Sequence, residues 1–453
     1  LLYGSTEAQI ASQSSGQIVI YLERISDLSD KSNPQCDFAL ELKKIVLVGT
    51  SESAEITPLV GKIYLQNLSS HQMLLAESVI DPGDYHQLLL DIFQIPLSSN
   101  HADSLIPHNH PELTIPLEVS IGAGETETLF LESHFSAATD TQKYKTVECS
   151  QIRKHIPPET SLAFVSNEAS NNLTIIDRAI GEVVGGMRVG EGPRGMAISK
   201  QQGMLFVANS QSNTISVNDI SSRQPIDIIN LDWGDEPEAV AVSGDSRFLF
   251  VANRGSNSVT IIELPSFMIV AKVTVGMEPV DVAADRWNNL AYVVNRQSDD
   301  ITVVNPENTP ELRTIPVGSF PVAIELNDRK REAYVANFNS GDVTVIDTQH
   351  LTVTGRISAT PSISDISVDA FSDILYCINQ NFDYIYMIKP AVGVDLAEIS
   401  MGKFPSRITL DPQNAFLYVT CRDDNSIAVV NKGAWRIEHT IASGRKPYMV
   451  VLP

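Results

Sequence analysis

The chain has 453 residues, 25 glycines, 24 prolines and a formal net charge of −23 at pH 7. That length supports two or three domains with a sizeable core. The charge argues against nucleic acid, whose phosphates would be repelled, and suits a protein exposed to a salty medium; no apolar run nears the roughly 18 residues of a membrane helix.

Residues 1–16 are rich in Ser, Gln and Ala and bury little, which predicts a flexible spacer. The chain opens on Leu1, and the expectation is either removal of an export signal or a trimmed sequence. From 17 to 136 the text alternates as strands do: Gln17 to Leu22, Phe38 to Val48, Lys62 to Leu65, Tyr85 to Ile92, Leu113 to Ile121 and Thr128 to Leu131. Six or seven such strands predict an antiparallel β-sandwich. The run Asp81-Pro82-Gly83-Asp84-Tyr85 reads as a turn whose tyrosine pins the corner to backbone. Cys36 and Cys149 flank this domain and are a candidate disulfide in an exported protein. His101, Asp103, His108, His110 and Glu112 crowd one Pro/Asn-rich loop, a weak metal candidate against the plainer reading of a solvated loop. Residues 137–160, ending His155-Ile156-Pro157-Pro158, read as a linker.

Beyond 160 the sequence repeats. Phe164-Val165-Ser166-Asn167, Phe206-Val207-Ala208-Asn209, Phe250 to Asn253, Tyr292 to Asn295, Tyr334 to Asn337, Tyr376 to Asn379 and Tyr418 to Cys421 share one pattern. Their closing positions are 42 residues apart, with one step of 44. Each copy ends an apolar strand on Asn, which can bond its own backbone and start a hairpin; the following Ser-Asn, Ser-Asp or Ser-Gly tolerates positive φ. A second strand, a third ending in Val-Gly, and a strand opened by Pro193, Pro237, Pro279, Pro321, Pro405 or Pro447 complete each unit. Four short antiparallel strands per period are one propeller blade, and seven blades make residues 161–453 a seven-bladed β-propeller. The first repeat begins on a second strand and the last leaves a Pro-initiated strand over. Pairing the two predicts that the C-terminal strand completes the first blade, inside residues 162–167.

The Tyr-Val-Ala-Asn strand, the Ile-Asp strand end and the Val-Gly-x-x-Pro loop resemble the YVTN-type propeller repeat of bacterial and archaeal surface proteins. Ile363 in place of Pro and Cys421 in place of Asn depart from it locally. The earlier half, through Leu42-Lys43-Lys44-Ile45-Val46-Leu47-Val48 and Pro82-Gly83-Asp84-Tyr85, more loosely resembles an uncharacterised domain of secreted prokaryotic lipoproteins. These resemblances imply an exported protein and no particular activity.

Chemistry-bearing patterns are sparse. Only His350 and His439 of nine histidines fall in the propeller, too few for an imidazole-held metal, and no Cys-x-x-Cys-His occurs, so no cofactor is expected. Cys377 and Cys421, on equivalent strands of neighbouring blades, read as buried apolar residues. The acid pairs Asp299-Asp300 and Asp423-Asp424 sit in hairpin turns and are read as turn residues before calcium ligands. Arg254, Arg296 and Arg422 follow closing positions, and Arg194 and Arg407 follow the Pro loops. These five could form a binding rim for an acidic protein partner or an anionic glycan; alternatively each pairs with Glu168, Glu236, Glu238 or Asp281.

The expectation at this level is a non-catalytic recognition or assembly scaffold, on the cell surface or in the periplasm of a prokaryote, with protein partners. The alternatives are a propeller hydrolase of lactonase type, which would need convergent acids or histidines at the channel mouth, and a glycan-binding module.

Overall fold

A computed structural model describes residues 15–23, 38–50, 52–64, 72–96, 112–135, 147–152, 158, 161–308, 312–391, 394–413 and 415–453. The chain divides into two compact units, one of Leu1–Ile156 with Glu182–Arg188 and one of Pro157–Gly181 with Val189–Pro453.

The described residues before 158 hold nine strands: β1 Gly16–Leu22, β2 Phe38–Gly49, β3 Ser53–Ile56, β4 Lys62–Tyr64, β5 Met73–Ile80, β6 Gly83–Pro96, β7 Glu112–Ile121, β8 Thr126–Phe135 and β9 Val147–Ile152. One sheet runs β5-β1-β8-β9, the other β3-β2-β6-β7 with β4 on β2. Both contribute to one core, Ile18, Ile20, Leu75, Leu129 and Leu131 from the first and Leu40, Ile45, Leu47, Leu88 and Ile115 from the second. Alternation explains this, because a period of two puts every second residue of a strand on the buried face. Two details depart from expectation. β1 and β8 pair in parallel, Gln17 opposite Thr126 through Leu22 opposite Leu131, so the sheets are not wholly antiparallel. β9 lies inside the segment read as a linker and extends the first sheet, because Val147–Ile152 offers an edge partner to β8. The Tyr85 hydroxyl donates to the Asp81 carbonyl at 2.7 Å, the backbone pin expected of that turn. Residues 1–14, most of 137–160, Cys36, and the loop carrying His101, Asp103, His108 and His110 lie outside the described residues, as do the side chains of Glu112 and Cys149.

The second region is the propeller, seven four-stranded antiparallel sheets. Their innermost strands are Pro447–Val451, Pro193–Ser199, Pro237–Val242, Pro279–Ala284, Pro321–Asn327, Ile363–Asp369 and Pro405–Leu410. The C-terminal strand does complete the first blade: Val450 pairs with Val165 and Val451 with Phe164. Arg178 and Asp411, both nearly inaccessible, form a salt bridge between the first and last blades. The ring therefore closes without exposed inner edges.

The repeat has a physical grammar. Each closing asparagine is buried and its amide reaches the next strand rather than its own backbone: Asn209 Nδ2 donates to Thr214 Oγ1 (3.1 Å) and Ser216 Oγ (2.9 Å), and Asn253 and Asn337 repeat the pattern. Strand pairing explains the difference, since it sets residues five and seven further on beside the amide and fills the backbone sites. The glycine of Val-Gly-x-x-Pro is required there: a Cβ on Gly318 would lie 2.5 Å from Asn337 Cγ. The hairpin residue four past each closing position has φ near +55° at Asn171, Asn213, Asn257, Asp299, Asp383 and Asn425. Its side-chain oxygen accepts the backbone N–H of the residue before the strand-opening proline, as Asn257 does from Glu278 (2.8 Å) and Asp383 from Phe404 (2.8 Å). Where Gly341 stands there is no such oxygen, and Ser362 N–H bonds the Phe338 carbonyl instead; this is the blade junction with Ile363 in place of Pro.

Candidate functional site

The innermost strands carry the site. They are short and lie around the channel, so every second side chain points into it, and most such positions are small or apolar. The third residue of these strands is Asp281, Asp365 and Arg407 in three blades, and the fifth is Glu325 in the blade between the two aspartates. All four line one cavity of about 140 Å³ together with Thr409, Tyr448 and Met449.

Arg407 ties the group together. Its Nη1 donates to Asp365 Oδ1 at 2.9 Å and to Asp281 Oδ2 at 3.2 Å. Backbone N–H groups also hold the carboxylates, Ile408 on Asp365 Oδ2 (2.7 Å) and Ile324 on the same Asp281 Oδ2 (3.1 Å). Asp365 is 4% exposed, and burial pushes its carboxyl up to about 6 against the pull of Arg407. Burial, then Asp365 and Asp281, push Glu325 up to about 8. Two neighbouring carboxyls thus titrate on either side of neutrality, which separates an acid from a base.

The five rim arginines do not act as one set. Arg254 stays at the rim, 2.9 Å from Glu236 Oε2. Arg296 pairs with Glu278 and lies over the Phe320 ring at 5.2 Å. Arg194, Arg407 and Arg422 instead converge on Tyr448, with guanidinium carbons 5.8, 5.6 and 5.4 Å from the ring centre. Glu168 joins Arg194 and Arg422, and Glu238 takes Arg194 and the Tyr448 hydroxyl (2.8 Å). Burial first, and then the Glu238 charge, push the Tyr448 phenol up to about 12.

The turn acids serve the hairpins: Asp299 Oδ1 accepts from Phe320 N–H (2.7 Å), Asp300 Oδ1 from Asn295 (2.7 Å) and Asp424 Oδ2 from Lys403 N–H (2.7 Å). Cys377 and Cys421 are buried, as the apolar reading expected. Sequence reading missed Glu325 and Asp365 and named Asp281 only as a pairing partner for a rim arginine, which it is for Arg407. The signal was present, charged residues at fixed offsets from the strand-opening position where neighbouring blades carry Gly or Ala.

The sequence matches the family described as Lactonase, 7-bladed beta-propeller over residues 185–316. No curated protein matches. Among solved structures, hydrazine synthase of Kuenenia stuttgartiensis shares the fold at a TM-score of 0.53 and 20% identity, covering 61% of this chain and 94% of that one. A protein from Lactobacillus plantarum does so at 0.57 and 16%, covering 64% and 98%. Dihydro-heme d1 dehydrogenase NirN in complex with DHE gives 0.50 and 12%, covering 64% and 65%. The expectation that the chain is not an enzyme is corrected by the family match, because the matched family is named for an enzymatic activity. The shortage of histidine that argued against catalysis carries less weight once carboxyls and an arginine converge in the channel. Among the described residues no helix is long and apolar enough to cross a membrane.

Proposed function

We propose that the propeller is a hydrolase of lactonase type, acting on a small cyclic ester in its channel. The observation that carries this reading is the convergence of Asp281, Glu325 and Asp365 on Arg407 in one cavity. The family match over 185–316 supports it. A volume of about 140 Å³ is close to that of a cavity known to take up benzene, so a five- or six-membered ring is of the right size.

In this mechanism the Asp365 carboxylate removes a proton from water as its oxygen attacks the ring carbonyl. Arg407, with five N–H donors, faces the developing oxyanion. Collapse breaks the ring C–O bond, and protonated Glu325 delivers its proton to the leaving alkoxide, giving a hydroxy acid. Asp281 keeps Arg407 aligned. The exported location expected from the repeat belongs to the same proposal, and the acidic surface supports it. Proton release on mixing purified protein with a panel of γ- and δ-lactones tests the reading. Turnover lost in Asp365→Asn supports it, and no turnover across the panel counts against it.

A further inference from the structure

The end of the propeller carrying the turns between first and second strands holds a feature unrelated to the channel chemistry. Residues 287, 329 and 371 occupy the same turn position in three consecutive blades, spaced by 42 each time. The corresponding residues of other blades include Gln201, Asp245 and Gln413, polar tips that need no explanation. Here they are Trp287, Arg329 and Phe371, and the two aromatic residues are 55% and 83% exposed. The next residues but one, Asn289, Arg331 and Asp373, all adopt positive φ, so the three tips share one backbone shape.

The side chains interlock. The Arg329 guanidinium lies 4.6 Å from the Phe371 ring centre and that of Arg331 5.0 Å from the Trp287 ring. Trp287 Nε1 donates to the Asp328 carbonyl at 3.2 Å, fixing the indole. Flanking charges pair among themselves, Arg286 with Asp328 at 2.8 Å and Lys330 with Asp373. Arg331 also touches Gln349; Arg329 is exposed. The ring contacts restrain both guanidiniums, whose five N–H donors suit a carboxylate.

We propose that this Trp287–Arg331 and Arg329–Phe371 row is a docking surface for an acidic segment of a protein partner. Charge complementarity selects that occupant: Arg329 and Arg331 place two guanidiniums side by side on a chain of net charge −23. A centre of aromatic and arginine side chains ringed by paired charges has the composition of a protein-binding hot spot. A sugar platform is disfavoured, because each ring already carries a guanidinium on one face. The surface is independent of the channel reaction.

The test uses the full chain and a fluorescently labelled oligo-glutamate peptide, read by anisotropy at low ionic strength, with a heparin oligosaccharide as the competing probe. Binding of the peptide, weakened at least tenfold in Arg329→Ala/Arg331→Ala and also in Phe371→Ala, but unchanged in Arg436→Ala on an outer strand, is the expected result. No binding by the unaltered chain would overturn the proposal, as would equal binding by the variants. Capture of heparin in preference to the peptide would reassign the surface to glycans and overturn it too.

Discussion

Ser443 Oγ donates to Asn167 Oδ1 at 2.8 Å, across the joint where the last blade meets the first. The same place in five other blades is held by Val189, Leu231, Val275, Val317 or Ala359, and there the asparagine carbonyls of Asn209, Asn253, Asn295, Asn337 and Asn379 have no side-chain or backbone donor among the described residues. The joint that chain connectivity does not secure is the one with the extra bond. Ser443→Ala should therefore lower stability by about 1–3 kcal/mol, the cost of leaving a buried acceptor without its donor. Denaturant unfolding checks it; an unchanged midpoint would mean that water already serves that oxygen.

The glycines of the repeat divide into two kinds. Gly318→Ala forces a Cβ to within 2.5 Å of Asn337 Cγ, whereas Gly355 has open space around its Cβ position and an ordinary φ. We expect Gly318→Ala to cost about 1–3 kcal/mol through overpacking and Gly355→Ala to be neutral or slightly stabilising. Thermal melts of the two variants side by side give the answer.

Closure through the C-terminal strand should dominate stability. Removing residues 447–453 strips Phe164 and Val165 of their inner-edge partners and takes Tyr448 from beneath three guanidiniums. The loss should be several kcal/mol, from an unpaired edge and lost apolar burial. A truncated chain melting like the full one would contradict the pairing.

Much of this was legible in the sequence, because the propeller advertises itself through a period and through turn residues whose roles are local. The strand that closes the ring could be placed by counting strands alone. The asparagine ties could not, since they depend on which side chains pairing brings alongside. The N-terminal unit was harder: its β1–β8 parallel pair joins segments over a hundred residues apart, and no local pattern encodes such a partner. Asp281, Glu325 and Asp365 lie on three consecutive blades, about 40 residues apart in sequence, and only the stacking of those blades around the channel makes them neighbours.

Glu325 also predicts a pH dependence of stability. Its folded carboxyl is raised to about 8, so the native state keeps a proton that the unfolded chain has already lost near its ordinary value of 4.5. The native state binds more protons between those values, and stability falls as pH rises through that window. Glu325→Gln should remove this loss, raising the melting temperature at pH 8.5 relative to the parent and leaving that at pH 4 little changed. Parallel melting curves across the range would contradict the placement of that carboxyl.

The pH profile of kcat/KM for lactone hydrolysis tests the catalytic assignment most directly. With Asp365 as base and Glu325 as acid, the profile should be a bell with limbs near 6 and 8, following the two raised carboxyls. Asp365→Asn should lower the rate by about 10²–10⁴-fold and abolish the acid limb, while Glu325→Gln should flatten the alkaline limb. A profile unchanged in both variants, or hydrolysis that survives Asp365→Asn undiminished, would contradict a reaction centred on these channel carboxyls.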